Sequence, residues 1–410
     1  MLAACDFVMQ ERLTSMKQKM IRLVARIIPL TLIILILISS LTGFRAEMLD
    51  ISVSADLRSV DSSENNPIEL SSYSTLQKTN DIVILSSFST LPGRHHSPYI
   101  NPLTGLGVIN DISRNRPVAV SISNQRAALP TNAINGISQA DIVYEVLVEG
   151  GITRFVGIYQ DFSEVGVVGS IRSARHYIVE LAEAYDAMFI HAGGSPRGFE
   201  EVDERGITNF DGVTGRRGQI FRRDVNRIPG HTVESYHGLI TSGASFTHWL
   251  PSFDLRLTHN ANFNQALKFT DNPVTRGMGA HNVTVRFSAG KSSIFNYNAM
   301  QDLYYMSQYG SVLTDVNNGE PVTFTNLLIL KTPVSDLVGH GEGAGRQDMS
   351  TVGSGTGYFV SGGGVIGINW FRACKASQFI YTLENGTELE LGRGKTYIGI
   401  IPVESNASFN

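Results

Sequence analysis

The sequence is poor in the residue types that usually identify a catalytic or redox centre. Its 410 residues include only two cysteines, Cys5 and Cys374, so neither a disulfide framework nor a cysteine-based metal site is expected. A Walker loop, a nucleophile elbow, a dinucleotide fingerprint and an HExxH pattern are all missing. The formal net charge of −4 lacks the basic excess of a nucleic-acid partner. The sequence therefore predicts no metal, no cofactor and no nucleic acid, and it disfavours an enzyme without excluding one.

One long hydrophobic run stands near the N-terminus. Residues 27–44 carry no charge and are just long enough for a bilayer-spanning helix. Basic residues precede this run, which places residues 1–26 in the cytoplasm and the bulk of the chain outside. A cleaved signal peptide is the alternative, because small residues follow the run. The sequence thus predicts a single-pass protein of the cell membrane, in which Cys5 and Cys374 lie on opposite sides and cannot pair.

The remaining sequence divides into a linker and two folded domains. Residues 45–98 are rich in serine, asparagine, aspartate and threonine, which is typical of a flexible polar linker. Residues 99–270 alternate strand and helix patterns, which predicts an α/β domain with a layered mixed sheet. Residues 271–404 are strand-rich and predict a smaller β-rich C-terminal domain. The predicted fold class is α+β, preceded by one transmembrane helix.

Individual elements follow from hydrophobic periodicity. Strands are predicted in the first domain at residues 117–122, 140–148, 153–159 and 187–191, and helices at 172–185 and 199–204. Strands in the second domain are predicted at residues 282–287, 293–297, 302–306, 323–330, 357–360, 365–371, 378–383, 387–391 and 396–401. The glycines within 353–357 and 362–364 suit tight turns, with close approach to a ligand as the less favoured alternative.

Two arginines mark the start of the first predicted helix. Ser170 or Ser173 would cap this helix. Arg172 and Arg175 are three residues apart, so they would project from one side of its first turn. Cations are disfavoured at that end of a helix unless an anion is bound there. The anion could belong to a ligand, or it could be a carboxylate of the protein; the internal candidates are Glu145, Glu149, Asp186 and Asp224. A third alternative is that both arginines are simply exposed at the surface.

The segment that follows the fourth predicted strand is a second candidate. Residues 193–197 connect a strand to a helix, and ligand clefts of α/β proteins form at the carboxyl ends of strands. Ser195 would cap that helix and Pro196 would take its first position. His191 ends the strand and could be a general acid or base. A histidine in this position is more often a structural residue whose hydrogen bonds are satisfied.

Further arginines follow at residues 216, 217, 222, 223 and 227. They form either a solvated loop or a positive rim around the same cleft, since arginine captures phosphates and carboxylates in a bidentate manner. His231 and His237 are six residues apart and share no helix face, which disfavours a metal site. The predicted ligand-binding residues are Arg154, Arg172, Ser173, Arg175, His191, Ser195, Arg197 and Arg223.

Several stretches of the chain resemble the YerB-like bacterial lipoproteins. The matching stretches, in collinear order, are residues 116–120, 136–145, 149–155, 169–175, 185–196 and 394–398. The resemblance implies two domains in a mixed α+β layered structure, an envelope location in Gram-positive-type bacteria, and no established catalytic residues. Members of that family usually carry a lipid-modified cysteine after the signal. Here Leu41 to Phe44 read Leu-Thr-Gly-Phe, so a transmembrane anchor would have to replace the lipid.

Two functions are consistent with these patterns. The first is a binding or regulatory protein of the cell envelope that holds an anionic wall component or a wall-synthesis protein. The alternative is a hydrolase or transferase acting on a phosphorylated or glycan envelope substrate, with His191 as the general acid or base and Arg172 and Arg175 stabilising negative charge. The alternative requires His191 and both guanidinium groups to line one open cleft. A structural spacer would not explain the clustered arginines.

Overall fold

The described part of the chain is built mainly from strands. The computed structural model describes residues 98–274, 277–339 and 341–410. The predicted cytoplasmic segment and hydrophobic span, nearly all of the predicted linker and Cys5 lie outside the described residues. Within the described ranges, no helix is both long enough and apolar enough to span a membrane.

Helices are few and short in this part of the chain. The α-helices are α1 (His176–Glu183), α2 (Pro196–Glu204) and α3 (Gly243–Trp249). Short 3₁₀ turns lie at Arg126–Ala128, Pro130–Asn132, Ile137–Gln139, Glu149–Gly151, Gly218–Ile220, Ser235–His237 and Leu250–Phe253.

The strands are numbered in chain order. Those before residue 271 are β1 (Tyr99–Ile100), β2 (Gly107–Val108), β3 (Val118–Asn124), β4 (Ala133–Ile134), β5 (Ile142–Leu147), β6 (Thr153–Tyr159), β7 (Val167–Gly169), β8 (Met188–His191), β9 (Asn209–Asp211), β10 (Arg222–Arg223), β11 (Leu239–Ser242) and β12 (Phe269–Thr270). Those after it are β13 (Met278–Gly279), β14 (Asn282–Ser288), β15 (Lys291–Asn298), β16 (Leu303–Gln308), β17 (Ser311–Val312), β18 (Thr314–Asp315), β19 (Thr323–Phe324), β20 (Asn326–Thr332), β21 (Val334–Asp336), β22 (Gln347–Met349), β23 (Gly353–Ser361), β24 (Gly364–Arg372), β25 (Ile380–Thr382), β26 (Leu391–Gly392), β27 (Thr396–Pro402) and β28 (Ala407–Phe409).

One mixed sheet runs through the centre of the fold. Its strand order is β13-β24-β23-β20-β27-β5-β6-β3-β8-β9, with β25 beside β24. Strand β27 runs parallel to β5 on one side and to β20 on the other. Every residue of β5 and β27 is buried, as is usual for strands covered on both faces. Strands from both sides of residue 271 therefore join a single continuous sheet.

A second sheet packs on the first through alternating side chains. Its order is β17-β16-β15-β14-β28, with β19 beside β16. Strand β14 alternates exposed and buried positions, and its buried residues Val283, Val285 and Phe287 belong to the common core. A small third sheet, in the order β10-β11-β7, carries Arg222 and Arg223 on an edge strand.

The mixed α+β character predicted from the sequence is confirmed. The glycine predictions are confirmed in one place and wrong in the other. Gly362 and Gly363 have positive φ angles of 55° and 77° and form the two-residue turn between β23 and β24. Residues 353–357, predicted as a turn, lie instead within β23. A Cβ atom on Gly357 would come within 2.4 Å of the Ile329 carbonyl oxygen, so glycine permits close packing there.

The predicted helix at residues 172–185 begins later than expected, at His176. The N–H of Arg172 donates to the Ser121 carbonyl at 2.8 Å, and the N–H of Ala174 donates to the Gly193 carbonyl at 2.8 Å. These backbone groups are therefore committed to neighbouring strands and loops. Arg175 takes the N-cap position, with an extended φ of −131° and ψ of 148°. Neither Ser170 nor Ser173 caps this helix.

Candidate anion-binding site

Three arginines gather around one carboxylate. Glu149 accepts hydrogen bonds from Arg175 Nε and from Arg346 Nη1 at the same oxygen, Oε1. Arg154 Nη2 lies 3.7 Å from Glu149 Oε2. Burial alone would raise the pKa of Glu149, but the hydrogen bonds and charges of these arginines lower it to about 2. The carboxylate is therefore ionised at neutral pH. Arg346 has a second carboxylate partner in Glu342, at 3.3 Å, so three arginines face two carboxylates and part of the positive charge is uncompensated.

Arg154 connects this cluster to the segment ahead of α1. Its Nη1 donates to the Ser173 carbonyl oxygen at 2.8 Å, and the residue is only 9% exposed. Burial, followed by the charge of nearby Arg175, lowers the pKa of Arg154 to about 9. A lowered arginine pKa shows that the surrounding groups do not fully compensate the cation.

Arg172 points away from Glu149 and has different partners. Its Nη1 donates to the Tyr236 carbonyl at 2.6 Å and its Nη2 contacts Nδ1 of His237. The guanidinium carbon lies 5.4 Å from the centre of the Tyr236 ring. No ion pair joins Arg172 to a carboxylate in the described ranges. Burial and the charge of Arg223 both lower the pKa of Arg172.

The histidine beside Arg172 is fully buried. Burial, together with the charges of Arg172 and Arg227, lowers the pKa of His237 to about 4. The ring is therefore neutral at pH 7, and its Nδ1 can accept from Arg172. Its Nε2 is buried and has no hydrogen-bond partner among the described residues. A neutral imidazole carries no negative charge, so it accepts a hydrogen bond from Arg172 without compensating the positive charge of the guanidinium.

Accessible groups surround Arg172. Tyr236 is 58% exposed, and Arg223 is exposed while donating to the Ser235 carbonyl at 2.9 Å. Ser173 is half-buried, and its carbonyl links this surface to Arg154. We call Arg172, Ser173, Arg223 and Tyr236 the arginine face.

His191 lies outside this face. It is fully buried, its Nδ1 donates to the Gly193 carbonyl at 2.9 Å, and its Nε2 accepts from Asn209 Nδ2 at 2.8 Å. The ring stacks on Phe189 with centroids 4.9 Å apart. Burial lowers the pKa of His191. Both ring nitrogens are satisfied inside the protein, so the geometry offers His191 no open route to a substrate.

The loop before α2 is also structural. Ser195 caps α2, as its sequence context predicts, by accepting from the Gly198 N–H at 3.1 Å, and Pro196 takes the first position. Arg197 lies 3.2 Å from Glu200 and 3.2 Å from Glu201. The charge of Arg197 is therefore compensated within its own helix.

The remaining arginines of the downstream run have internal partners. Arg227 is buried and donates to Ala128, Asn135 and the His237 carbonyl. Arg216 lies 3.5 Å from Asp203, and Arg222 lies 3.0 Å from Asp224. Among the predicted internal anions, Glu149 is the one that pairs with Arg175. Asp186 instead pairs with Arg116, Arg256 and His259.

Sequence reasoning missed two contributors, Arg346 and Tyr236. Arg346 belongs to the β-rich part and reaches Glu149 only because the chain folds back across the first part. Tyr236 gave no signal beyond its position between two histidines. Among the described residues, no group of three histidine, cysteine, aspartate or glutamate side chains could hold a metal ion.

Two cavities lie elsewhere on the fold. One, of about 250 Å³, is lined by residues that include Arg114, Gln160 and His259. The other, of about 430 Å³, is lined by residues that include Asn101, Asp141 and Asp161. Neither includes a residue of the arginine face.

Comparison with known proteins agrees with the predicted resemblance. The family described as protein of unknown function (DUF3048) matches residues 103–247 with its N-terminal domain and residues 283–398 with its C-terminal domain. YerB of Bacillus subtilis (strain 168), whose name classes it with the lipoproteins, is 28% identical over 312 residues, which cover 75% of this chain and 88% of YerB. The crystal structure of the YerB protein from Bacillus subtilis matches with a TM-score of 0.63 at 28% identity, covering 75% of this chain and 99% of that chain. The chain therefore belongs to the DUF3048 family of YerB-like proteins.

Proposed function

We propose that this protein is a membrane-anchored, extracytoplasmic binding protein that holds an anionic component of the bacterial cell wall on the arginine face. The name of its relative supports an association with the cell envelope. The single-pass anchor at residues 27–44 and the outward orientation are part of the proposal. The observation that carries it is Arg172, a half-buried cation that has no carboxylate partner in the described ranges.

The local charge balance supports an anionic ligand. Arg154, Arg175 and Arg346 share Glu149, and Arg346 also pairs with Glu342. Arg172 and Arg223 add two further positive charges beside them. Desolvating a cation without compensation costs free energy. A bound phosphate or carboxylate would recover that free energy through charge-assisted hydrogen bonds.

The uncharged groups of the face suit a polymer of sugars or polyols. Tyr236 offers an exposed ring, and aromatic rings pack well against the apolar faces of sugars while presenting a hydroxyl group at the rim. Ser173 adds a hydroxyl group beside Arg172. An anionic wall polymer combines these chemistries, whereas an acidic surface of a wall-synthesis protein would use the arginines alone.

The alternative function, a hydrolase or transferase, requires a histidine that can act as the general acid or base. His191 is buried with both nitrogens occupied, and His237 has a pKa of about 4 with Arg172 against its Nδ1. Neither can exchange a proton with a substrate near neutral pH. Binding is the function that the geometry supports best.

The test is a pelleting assay with purified cell walls. The full-length protein is mixed with peptidoglycan that retains its covalently attached anionic polymer, and with peptidoglycan from which that polymer has been removed. We expect binding to the first material, weakening with salt. The Arg172→Gln, Arg223→Gln double variant should bind at least about a hundredfold more weakly, because each of the two lost charged contacts contributes about 1.5–3 kcal/mol.

Arg393→Gln is the matched control. Arg393 is exposed and lies 3.1 Å from Asp271, and neither residue belongs to the arginine face. The control should pellet like the wild type. Equal binding to both wall materials, or unchanged binding by the double variant, would contradict the proposal. If the wild type did not bind the wall material but did bind an acidic protein, the ligand would be a wall-synthesis protein instead of a wall polymer.

A further inference from the structure

A polar network that shares no residue with the arginine face lies between the two main sheets. At its centre is Glu145 of β5, whose side chain is fully buried. Its Oε1 accepts from Asn124 Nδ2 at 2.8 Å and from the Thr153 hydroxyl at 2.6 Å. Its Oε2 accepts from the hydroxyl groups of Ser293 at 2.7 Å and Tyr397 at 2.8 Å. The carboxylate is held in one orientation by four donors.

A buried lysine from the second sheet completes the network. Lys291 is the first residue of β15 and is 3% exposed. Its Nζ lies 3.7 Å from Glu145 Oε1, contacts Gln308 Oε1 and lies 4.5 Å from the centre of the Tyr309 ring. Burial lowers the pKa of Lys291, although Glu145 opposes that shift. Burial therefore increases the share of the neutral amine, which is the nucleophilic form.

The carboxamide of Asn124 faces the same carboxylate oxygen. Asn124 ends β3 and is fully buried. Its Nδ2 is bonded to Glu145, but its Oδ1 is buried without a hydrogen-bond partner among the described residues. Buried carboxamides normally satisfy both ends. Asn132 and Asn209 also have an unpaired Oδ1, and Asn124 is distinguished by its bond to a carboxylate oxygen that also lies beside a buried amine.

One carboxylate oxygen therefore contacts both a buried amine and a buried carboxamide nitrogen. We propose that Lys291 and Asn124 become joined by an intramolecular amide bond, with Glu145 as the group that moves the proton. The amine lone pair of Lys291 attacks Cγ of Asn124, and Glu145 takes a proton from Nζ. Glu145 passes that proton to Nδ2, the Cγ–Nδ2 bond breaks, and ammonia leaves.

The reaction is balanced without an oxidant or cofactor. A neutral amine and a carboxamide give a secondary amide and ammonia, and Glu145 returns to its starting state. The new bond would tie β3 of the central sheet to β15 of the second sheet. It would constrain the unfolded chain as a disulfide does.

Intact mass measurement of the purified full-length protein is the test. We expect the folded protein to be lighter than its sequence mass by one molecule of ammonia. Proteolysis should release a branched peptide in which the side chains of Lys291 and Asn124 are joined. A full sequence mass in the folded wild type would overturn the proposal, as would a branch from Lys291 to Gln308 or an ammonia loss elsewhere in the chain.

Variants separate the chemistry from folding. Lys291→Met and Glu145→Gln should both retain the ammonia, the first for lack of a nucleophile and the second for lack of a proton acceptor. Lys268→Met, which removes an exposed amine paired with Glu388, should lose the ammonia as the wild type does. If Glu145→Gln still formed the branched peptide, the role of Glu145 would be refuted even with the bond confirmed. The wild-type mass decides the question if the variants fail to fold.

Discussion

The guanidinium of Arg172 lies directly against Nδ1 of His237, so a positive charge faces a fully buried imidazole. Two cations cannot share that contact without a large electrostatic cost. The imidazole is therefore kept neutral, which is consistent with its pKa of about 4. The pKa of His237 therefore depends on Arg172, and a titration of the His237 ring reports on the charge at the proposed ligand site.

Removing the charge of Arg172 should raise the pKa of His237. Burial is the larger cause of the depressed pKa, and Arg172 is the next, so Arg172→Gln should recover part of the shift toward 6.5. An NMR titration of the His237 ring measures this pKa. Arg393→Gln should leave it near 4, and an unchanged value in Arg172→Gln would contradict the assigned contact.

His237 should also contribute to the pH dependence of stability. Its pKa in the folded state, about 4, lies below the ordinary value near 6.5, so the unfolded chain binds more protons between these values. Stability from His237 is therefore fully present above about pH 6.5 and is lost as the pH falls toward 4. Urea unfolding at pH 7 and pH 5 should show a smaller pH effect in His237→Gln than in the wild type.

Asp141 should make the protein less stable as the pH rises, which is opposite to the effect of His237. Burial raises the pKa of Asp141 to about 6, so its favourable contribution is present below about pH 4 and is lost as the pH rises through 6. The pH dependence of wild-type stability combines the contributions of His237 and Asp141, so the contribution of His237 has to be obtained by comparing the wild type with His237→Gln. If His237→Gln kept the full wild-type pH dependence, the imidazole would not be the titrating group.

Glu149 is predicted to be the main internal stabiliser of the arginine cluster. Glu149→Gln keeps the shape but leaves Arg154 and Arg175 without their carboxylate, while Arg346 keeps only Glu342. We expect the free energy of unfolding to fall by about 2 kcal/mol, as for the loss of a charged hydrogen-bond partner. Glu149→Gln should also bind anionic wall polymer more tightly, since the competing internal anion is removed. If a stably folded Glu149→Gln variant bound the wall polymer more weakly than the wild type, Glu149 would not compete with the ligand for the arginines.

Local patterns were sufficient to predict much of the fold. The predicted strand at 153–159 coincides with β6, because most of its residues are β-branched, apolar or aromatic and it is bounded by turns. The cap at Ser195 was predictable because a serine before a proline is a local signal. The start of α1 was not predictable, since the backbone of Arg172 bonds to Ser121, which is distant in sequence.

The candidate site depended on contacts that sequence patterns do not contain. His191 occupies a typical catalytic position at a strand end, yet Asn209 from another strand satisfies its ring. Arg172 and Arg175 are close in sequence but point to different partners once the segment before α1 is extended. Arg346 reaches the cluster from the other half of the chain. Tertiary pairing, and not local pattern, decides which cations are compensated.

Arg372 should be among the most sensitive positions for stability. Its side chain is fully buried and donates to the carbonyl of Ser377 at 2.7 Å, to the Thr351 hydroxyl at 2.7 Å and to the carbonyl of Glu180 in α1 at 2.7 Å. Arg372→Met would leave these acceptors buried without a donor. We expect a loss of about 3–5 kcal/mol in urea unfolding.

Arg393→Met is the matched comparison for Arg372. It removes an exposed guanidinium that pairs with Asp271 and donates to the Gly105 carbonyl at 2.6 Å. An exposed ion pair contributes at most about 1 kcal/mol and one hydrogen bond about 1 kcal/mol, so the loss should be smaller than for Arg372→Met. Similar losses at both positions would mean that the network of Arg372 does not join β24 to α1 as described.

Ser195 provides a final test of structure against function. Its hydroxyl caps α2 through the Gly198 N–H at 3.1 Å and is 1% exposed, so it cannot contact a ligand on the arginine face. Ser195→Ala should lower the free energy of unfolding by about 1 kcal/mol, and Ser195→Asp should retain more of it because aspartate also caps helices. Both variants should bind wall material like the wild type at a temperature where they are folded. A loss of binding by Ser195→Ala without a loss of stability would return Ser195 to the ligand site and move that site toward α2.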